Sequence, residues 1–265
     1  MSNITSDIYQ SVKVLVDSFY RNDPTSLNVS NFTYTLNQEI SRVSRIYVES
    51  AQIPFTYFTT NATNNSLTIE YDSGTISAIV SPGNYNSGTI ATAVRSALDS
   101  FAIPGVVWSV TFDPITFKLK ITITGGSGSF KILVASDPLS IWPSVGFTQD
   151  TTYSAVHTSD GVMDLSGPRY LVIKSELIGE NRAYTTAVST LYTSTVNANT
   201  IIHTVPVNTN PGGVILDVAP SPRYSILGFK TSFKDNIDFR LEDDRGNLLD
   251  LNGNHWSVQF IFELR

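Results

Sequence analysis

The stretch that decides the fold is Trp256-Ser257-Val258-Gln259-Phe260-Ile261-Phe262-Glu263-Leu264. Trp256, Val258, Phe260, Phe262 and Leu264 fall on one side, and Ser257, Gln259, Ile261 and Glu263 on the other. Period-two alternation means an extended strand with one face buried. Two runs upstream repeat it: Ile237, Phe239 and Leu241 alternate with Asp238, Arg240 and Glu242, and Leu227, Phe229, Thr231 and Phe233 alternate with Gly228, Lys230, Ser232 and Lys234. Asp243-Asp244-Arg245-Gly246-Asn247 joins the last two runs with residues that tolerate positive φ. A chain that stops inside a buried strand is expected to have its C-terminus built into a sheet.

Working outward, residues 29–60 carry two strands. In the first, Phe32, Tyr34 and Leu36 share a face. The second runs from Val43 to Ala51 with Ile46, Val48 and Ser50 inward, and stops at Ile53-Pro54. Downstream, Leu171, Ile173, Ser175 and Leu177 line one face of a strand, and Ile201–Val207 and Gly213–Val218 form two more, separated by Thr209-Asn210-Pro211-Gly212. Residues 179–197 are rich in Thr and Ser and predict a long loop. Residues 1–28 end at Asn22-Asp23-Pro24 and are expected to form an N-terminal arm; a strand docked on the body is the alternative.

Residues 61–150 change character. Short strands surround the one convincing helix, where Ile90, Ala93, Val94, Ala97, Leu98 and Phe101 make a single apolar stripe and Ser87 is the expected N-cap. Strands follow around Trp108/Val110/Phe112, Phe117/Leu119/Ile121/Ile123 and Phe130/Ile132/Val134. This unit can bury its own stripe and reads as a small inserted α+β domain. The expected organisation is therefore an arm at 1–28, a body at 29–60 plus 151–265, and an insertion at 61–150. About eight short strands with Pro/Gly punctuation make the body mainly β, an eight-stranded single jelly-roll sandwich.

Composition narrows the function. The chain has 265 residues, no cysteine, 15% charged residues and a net charge of −6. Disulfides, thiolate metal sites and cysteine nucleophiles are excluded. An acidic chain without a Lys/Arg run does not suit direct nucleic-acid binding. No secretory leader and no membrane span are expected. The sequons at Asn3, Asn28, Asn31, Asn61 and Asn64 then read as Asn/Thr-rich composition.

Residues that could carry chemistry are scattered. His157, His203 and His255 lack metal-ligand spacing; His203 reads as a satisfied sheet residue and His255 as packing beside Trp256. Asp243 and Asp244 are adjacent, so they point apart and make poor acid–base partners. Asp250-Leu251-Asn252-Gly253-Asn254 lacks the ligand series of a calcium loop. Gly125-Gly126-Ser127-Gly128 joins two strands and has no Lys-Ser/Thr ending for phosphate. Gly161–Gly167 holds no Gly-x-Ser-x-Gly elbow, and Arg245-Gly246-Asn247 is not Arg-Gly-Asp. Trp108 and Trp256 read as core. Trp142, with Tyr153 and His157 nearby in sequence, could stack on a sugar. No catalytic, cofactor or metal residue is assigned, and the chain reads as a non-enzyme.

Three segments carry a resemblance: Asn31-Phe32-Thr33-Tyr34 leading to Arg45-Ile46-Tyr47-Val48-Glu49-Ser50-Ala51-Gln52-Ile53-Pro54; Leu165-Ser166-Gly167-Pro168-Arg169-Tyr170-Leu171-Val172-Ile173-Lys174-Ser175; and Leu249-Asp250-Leu251-Asn252-Gly253-Asn254-His255-Trp256-Ser257-Val258-Gln259-Phe260. With Pro82-Gly83-Asn84-Tyr85 before a helix, they resemble the penton, or vertex capsid, proteins of virophages and related large double-stranded DNA viruses. The resemblance implies a single jelly roll, a homopentamer on the capsid five-fold axis and an outward-projecting inserted domain. It implies a virion protein made in the host cytoplasm, contacting neighbouring major capsid proteins through the arm and a host receptor through the insertion. The alternative is a carbohydrate- or receptor-binding jelly-roll module, such as a minor capsid or fibre protein.

Overall fold

The computed structural model describes residues 10–26, 28–72, 74–175, 177, 201–218, 225–226, 233 and 236–265. The chain divides into two units, residues 1–57 with 168–265, and residues 58–167. The protein is mainly β, in several antiparallel sheets.

Unit 1 holds β1 (Gln10–Asp17), β2 (Asn31–Thr35), β3 (Val43–Pro54), β10 (Tyr170–Lys174), β11 (Ile201–Pro206), β12 (Val214–Val218), β13 (Ser225–Ile226), β14 (Asn236–Glu242) and β15 (Ser257–Leu264). One sheet has the order β1-β15-β3-β12, with β13 also on β3; the other has the order β11-β10-β14-β2. One core lies within this unit. Trp256, Val258, Phe260 and Phe262 of the stretch quoted at the outset are buried in it with Phe32, Phe239, Leu171 and Ile173. Phe239 lies 5.7 Å from both Phe32 and Phe260, centroid to centroid. The Trp256 Nε1–H donates to the Val29 carbonyl at 2.9 Å, so the ring is buried without an orphaned donor.

Two sequence expectations change in this unit. Residues 10–17 form the docked strand given as the alternative, not an arm: all of β1 pairs with β15, from Gln10↔Leu264 to Asp17↔Ser257. Val12, Val14 and Val16 face the core. The alternation in that segment is aliphatic but flanked by Ser, Lys and Asp, which made it read as mixed sequence. The connection to β2 is then held by buried Arg21, whose guanidinium donates to the carbonyls of Ser18, Pro24 and Ser26 at 2.9, 3.0 and 2.6 Å.

The second change is in β3. Gln259 pairs with Ser50 but Phe260 pairs with Val48, so Glu49 is an extra residue in the ladder. That bulge switches the buried face from Ile46 and Val48 to Ala51 and Ile53, and Ser50 is not an inward core position. Simple alternation cannot register such a shift. The expected strand at 227–233 lies largely outside the described residues; Phe233 is buried and bridges to Ile40. The expected loop at 179–197 also lies outside them.

Unit 2 contains β4 (Ser66–Tyr71), β5 (Gly74–Ile79), α1 (Ser87–Asp99), β6 (Val107–Asp113), β7 (Lys118–Thr124), β8 (Phe130–Ile132) and β9 (Val156–Thr158). Its sheets have the orders β5-β4-β8 and β6-β7-β9. Ile90, Val94 and Leu98 of α1 are fully buried in a separate core with Leu67, Ile69, Leu119 and Ile121. The cap is Asn86, one residue before the expected Ser87: its side chain accepts from Gly88 and Thr89, and Thr89 reciprocates as a capping box. The unit extends to residue 167 rather than 150, because β9 pairs with β7. Three residues, Val156-His157-Thr158, are too short to give a period-two signal. Phe117 also departs from expectation: its φ of 54° turns it out of the strand and leaves its ring exposed.

Candidate functional site

The strands of unit 1 form a concavity on the outer face of the second sheet, a groove of about 400 Å³ lined by Tyr170, Val172, Lys174, Thr204, Pro206 and the turn 242–246. Lys174 and Glu242 come together because β10 and β14 pair with Val172 opposite Glu242 and Lys174 opposite Arg240. Glu242 is 98% buried, so its charge needs partners. It has two: the Lys174 ammonium in a close ion pair, and Arg240 Nη2 at 3.2 Å.

The two aspartates beside it serve the backbone. Asp243 accepts the N–H groups of Arg245 and Asn247 at 2.9 and 2.8 Å, and Gly246 turns the chain at φ 85°. Asp244 accepts the Arg169 N–H at 3.0 Å. The tyrosine hydroxyl of Tyr57 is pushed above its ordinary pKa by burial, then by the charges of Asp244 and Asp243. The groove is therefore acidic and apolar, with its carboxylates committed to ion pairs and a turn. That arrangement fixes geometry; it does not set two free carboxyls across a bond.

The histidines are apart. His203 on β11 is buried, with Nε2 2.5 Å from Asp217 on β12, which joins the edges of the two sheets. His255 is exposed rather than packed beside Trp256. It stands edge-on to Phe19 at 5.1 Å, and its Nδ1 is 3.3 Å from the Ser18 hydroxyl. Phe19 and Tyr20, both exposed, complete a small aromatic ridge where β1 ends. Among the described residues, no group of three His, Asp or Glu stands close enough to hold a metal ion, and no helix is long and apolar enough to cross a membrane.

In unit 2, Trp142 is fully buried. Its Nε1–H donates to the Thr68 carbonyl at 2.9 Å and its ring meets Phe147 edge-on. It is a core residue, so the sugar platform expected there does not form. Tyr153 is exposed but His157 is buried, with Nε2–H donating to the Phe130 carbonyl at 2.9 Å. The loop at 125–128 is a close backbone approach: a Cβ on Gly125 would meet the Gly105 carbonyl at 1.9 Å, and the Ser127 N–H donates to the Tyr71 hydroxyl. The Asp250–Asn254 segment is a turn in which Asp250 accepts the Asn252 N–H at 2.8 Å.

Exposed apolar side chains in unit 1 concentrate at the margins of the first sheet. Val214, Leu216 and Val218 project from β12, and Leu15 from β1. No sequence motif marked them, because an alternating edge strand looks like any other strand.

No family model and no curated protein matches this sequence. Solved structures similar to it include the following two. A crystal structure of the mavirus penton protein aligns with a TM-score of 0.48 and 15% identity, covering 96% of this chain and 99% of that one. A chain of the Sputnik virophage cryo-EM structure aligns with a TM-score of 0.47 and 14% identity, covering 96% and 97%.

Proposed function

We propose that this chain is a structural capsid protein that forms the pentameric five-fold vertex of an icosahedral double-stranded DNA virus, on an eight-stranded jelly roll carrying a guest unit. The observation that carries the reading is the strand order of unit 1. Take β1, β2, β3, β10, β11, β12, β14 and β15 as a ribbon folded at its middle. Such a ribbon pairs first with last, second with seventh, third with sixth and fourth with fifth. All four pairs occur, as β1·β15, β2·β14, β3·β12 and β10·β11. Rolling the ribbon then brings the eighth strand onto the third and the seventh onto the fourth, which are β15·β3 and β14·β10. This double pairing is what the winding of a jelly roll requires, and it supports that reading. The guest unit enters between the third and fourth strands, and the three segments that resemble penton proteins fall largely on β2, β3, β10 and β15 of this one body.

The function is assembly. Copies meet around a closed ring, and the ring sits at the vertex of a virion whose proteins are made in the host cytoplasm. Neighbouring major capsid proteins are the further partners of the ring, and residues 10–17, paired with β15, are not available to them as a free arm. The guest unit is the part offered to a host receptor. The carbohydrate-binding alternative has lost its anchor, since Trp142 is in the core. Mass measurement of the purified chain, with imaging of particles, tests the proposal. Five-membered rings, or density for this chain at capsid vertices, is the expected result. A chain that stays monomeric and is absent from particles overturns it.

A further inference from the structure

The geometry points to the two edges of the first sheet that are open among the described residues as the contact between copies of this chain, β12 of one copy lying head to tail against β1 of the next. The inference rests on the ring proposed above and names its contact surface.

Three observations carry it. First, the strands β1-β15-β3-β12 are each antiparallel to their neighbours. Four alternating strands leave β1 and β12 running in opposite directions. A second copy placed alongside in the same orientation therefore sets its β1 antiparallel to this β12, the pairing that an edge strand accepts most readily. An odd number of strands would have set them parallel.

Second, both edges carry apolar side chains on the same, outward face. Ile215 of β12 and Val16 of β1 point into the core, whereas Val214, Leu216 and Val218 are 59%, 50% and 60% exposed and Leu15 is 57% exposed. Joining the edges puts these residues side by side as cross-strand neighbours. Between the edges the outer face covers Ile261 with paired polar groups: Lys13 pairs with Glu49 at 2.6 Å, Gln259 bonds Glu49, and Arg45 reaches Glu263 at 3.8 Å. Lys13, the one cation on β1, is already neutralised within its own copy, and the carboxylate that ends the strand, Asp17, accepts the Phe19 N–H at 2.8 Å.

Third, the backbone of β12 is available. The Leu216 carbonyl takes only a 3.3 Å bond from the exposed Asn208 side chain, so it faces away from β3 and can be handed to a partner strand. Repeating one such unlike-edge contact closes a ring when its rotation divides a full turn, and the first sheet then has no free edge left.

The test uses the full chain in sedimentation velocity, with melting temperature measured alongside. The wild-type chain is expected to sediment as a closed oligomer. Leu216→Lys and Leu15→Lys, each on a different edge, are expected to lose that species while melting like the wild type; Val214→Lys is the second variant on the β12 stripe should Leu216→Lys melt early. Ile79→Lys, on an equally exposed strand of unit 2, is expected to leave it unchanged. Combining Leu216→Lys with Leu15→Glu sets opposite charges across every junction and is expected to recover the oligomer. Oligomers that persist in both single-edge variants, or no recovery in the charge-swapped chain, overturn this contact and leave the vertex reading standing. Assembly only after another viral chain is added overturns a second copy as the occupant. A wild-type chain that is monomeric at high concentration and missing from particles overturns both readings.

Discussion

Trp142 and His157 carry most of what a single side chain decides in this protein. Trp142 is sealed against Phe147 and donates its indole N–H to Thr68. Truncating such a residue removes packing and one of the two hydrogen bonds that the Thr68 carbonyl accepts, the other being from the Leu133 N–H at 3.2 Å. Trp142→Ala is expected to cost about 3–5 kcal/mol in unit 2, read as a lower melting temperature. A surface platform would give no such loss. Burial favours the neutral form of His157 and holds its pKa below the ordinary 6.5, and its Nε2–H is committed to Phe130. The unfolded chain binds that proton more readily, so stability is highest above about pH 6.5 and falls as pH drops through that value. Asp113, Asp137, Asp150 and Asp160 have lowered pKa values, and their contribution is lost only near and below the ordinary carboxylate range. Between pH 6.5 and 5 the wild type should therefore lose stability that His157→Gln does not lose. Parallel slopes for the two proteins across that window would contradict this account.

At the scale of elements, β1 separates two views of the N-terminal segment. An arm could be removed without harm to the fold. A strand paired along eight residues with β15 cannot. Deleting residues 1–17 uncovers the edge of β15 and removes Val12, Val14 and Val16 from the core. At about 1.5–3 kcal/mol for a fully buried Val, and less for the two half-buried ones, the loss should be on the order of 5 kcal/mol. Thermal unfolding would register it as a fall in melting temperature large enough to leave little folded protein at 37 °C; an unchanged melt would return the segment to an arm. The helix cap is a milder case. Asn86→Ala removes an acceptor for Gly88 and Thr89 and should cost about 1 kcal/mol, measurable by denaturant midpoint.

The whole molecule is two cores on one chain, and each core draws its side chains from its own unit. In unit 2 the two chain ends come together: a Cβ on Gly167 would sit 2.6 Å from the Thr59 side chain. A segment whose ends meet and whose core is its own can be cut out. Residues 58–167 expressed alone should therefore unfold cooperatively, with dispersed amide resonances before the transition. A spectrum without dispersion would show that the unit needs the rest of the chain. The same independence lets unit 2 be carried between β3 and β10 without disturbing the strand pairing of unit 1.

The sequence by itself determined the local alphabet. Alternation at Trp256–Leu264 and Ile237–Leu241 specified buried strands, and the Ile90–Leu98 stripe specified the helix. Asp243–Asn247 specified a turn, and the absence of cysteine and the spread of the histidines removed whole classes of chemistry. These properties depend on neighbours within a few residues, where φ/ψ preference and side-chain period act directly. Only the tertiary structure decided the rest. It made residues 10–17 a strand, because their partner lies near residue 260. It inserted a bulge at Glu49, added residues 151–167 to unit 2 through β9 and buried Trp142. It also selected which strands stand at sheet margins and so leave Leu15 and Leu216 uncovered. Each of these is a pairing between distant segments, and hydrophobic periodicity reports that a face is buried without reporting what buries it.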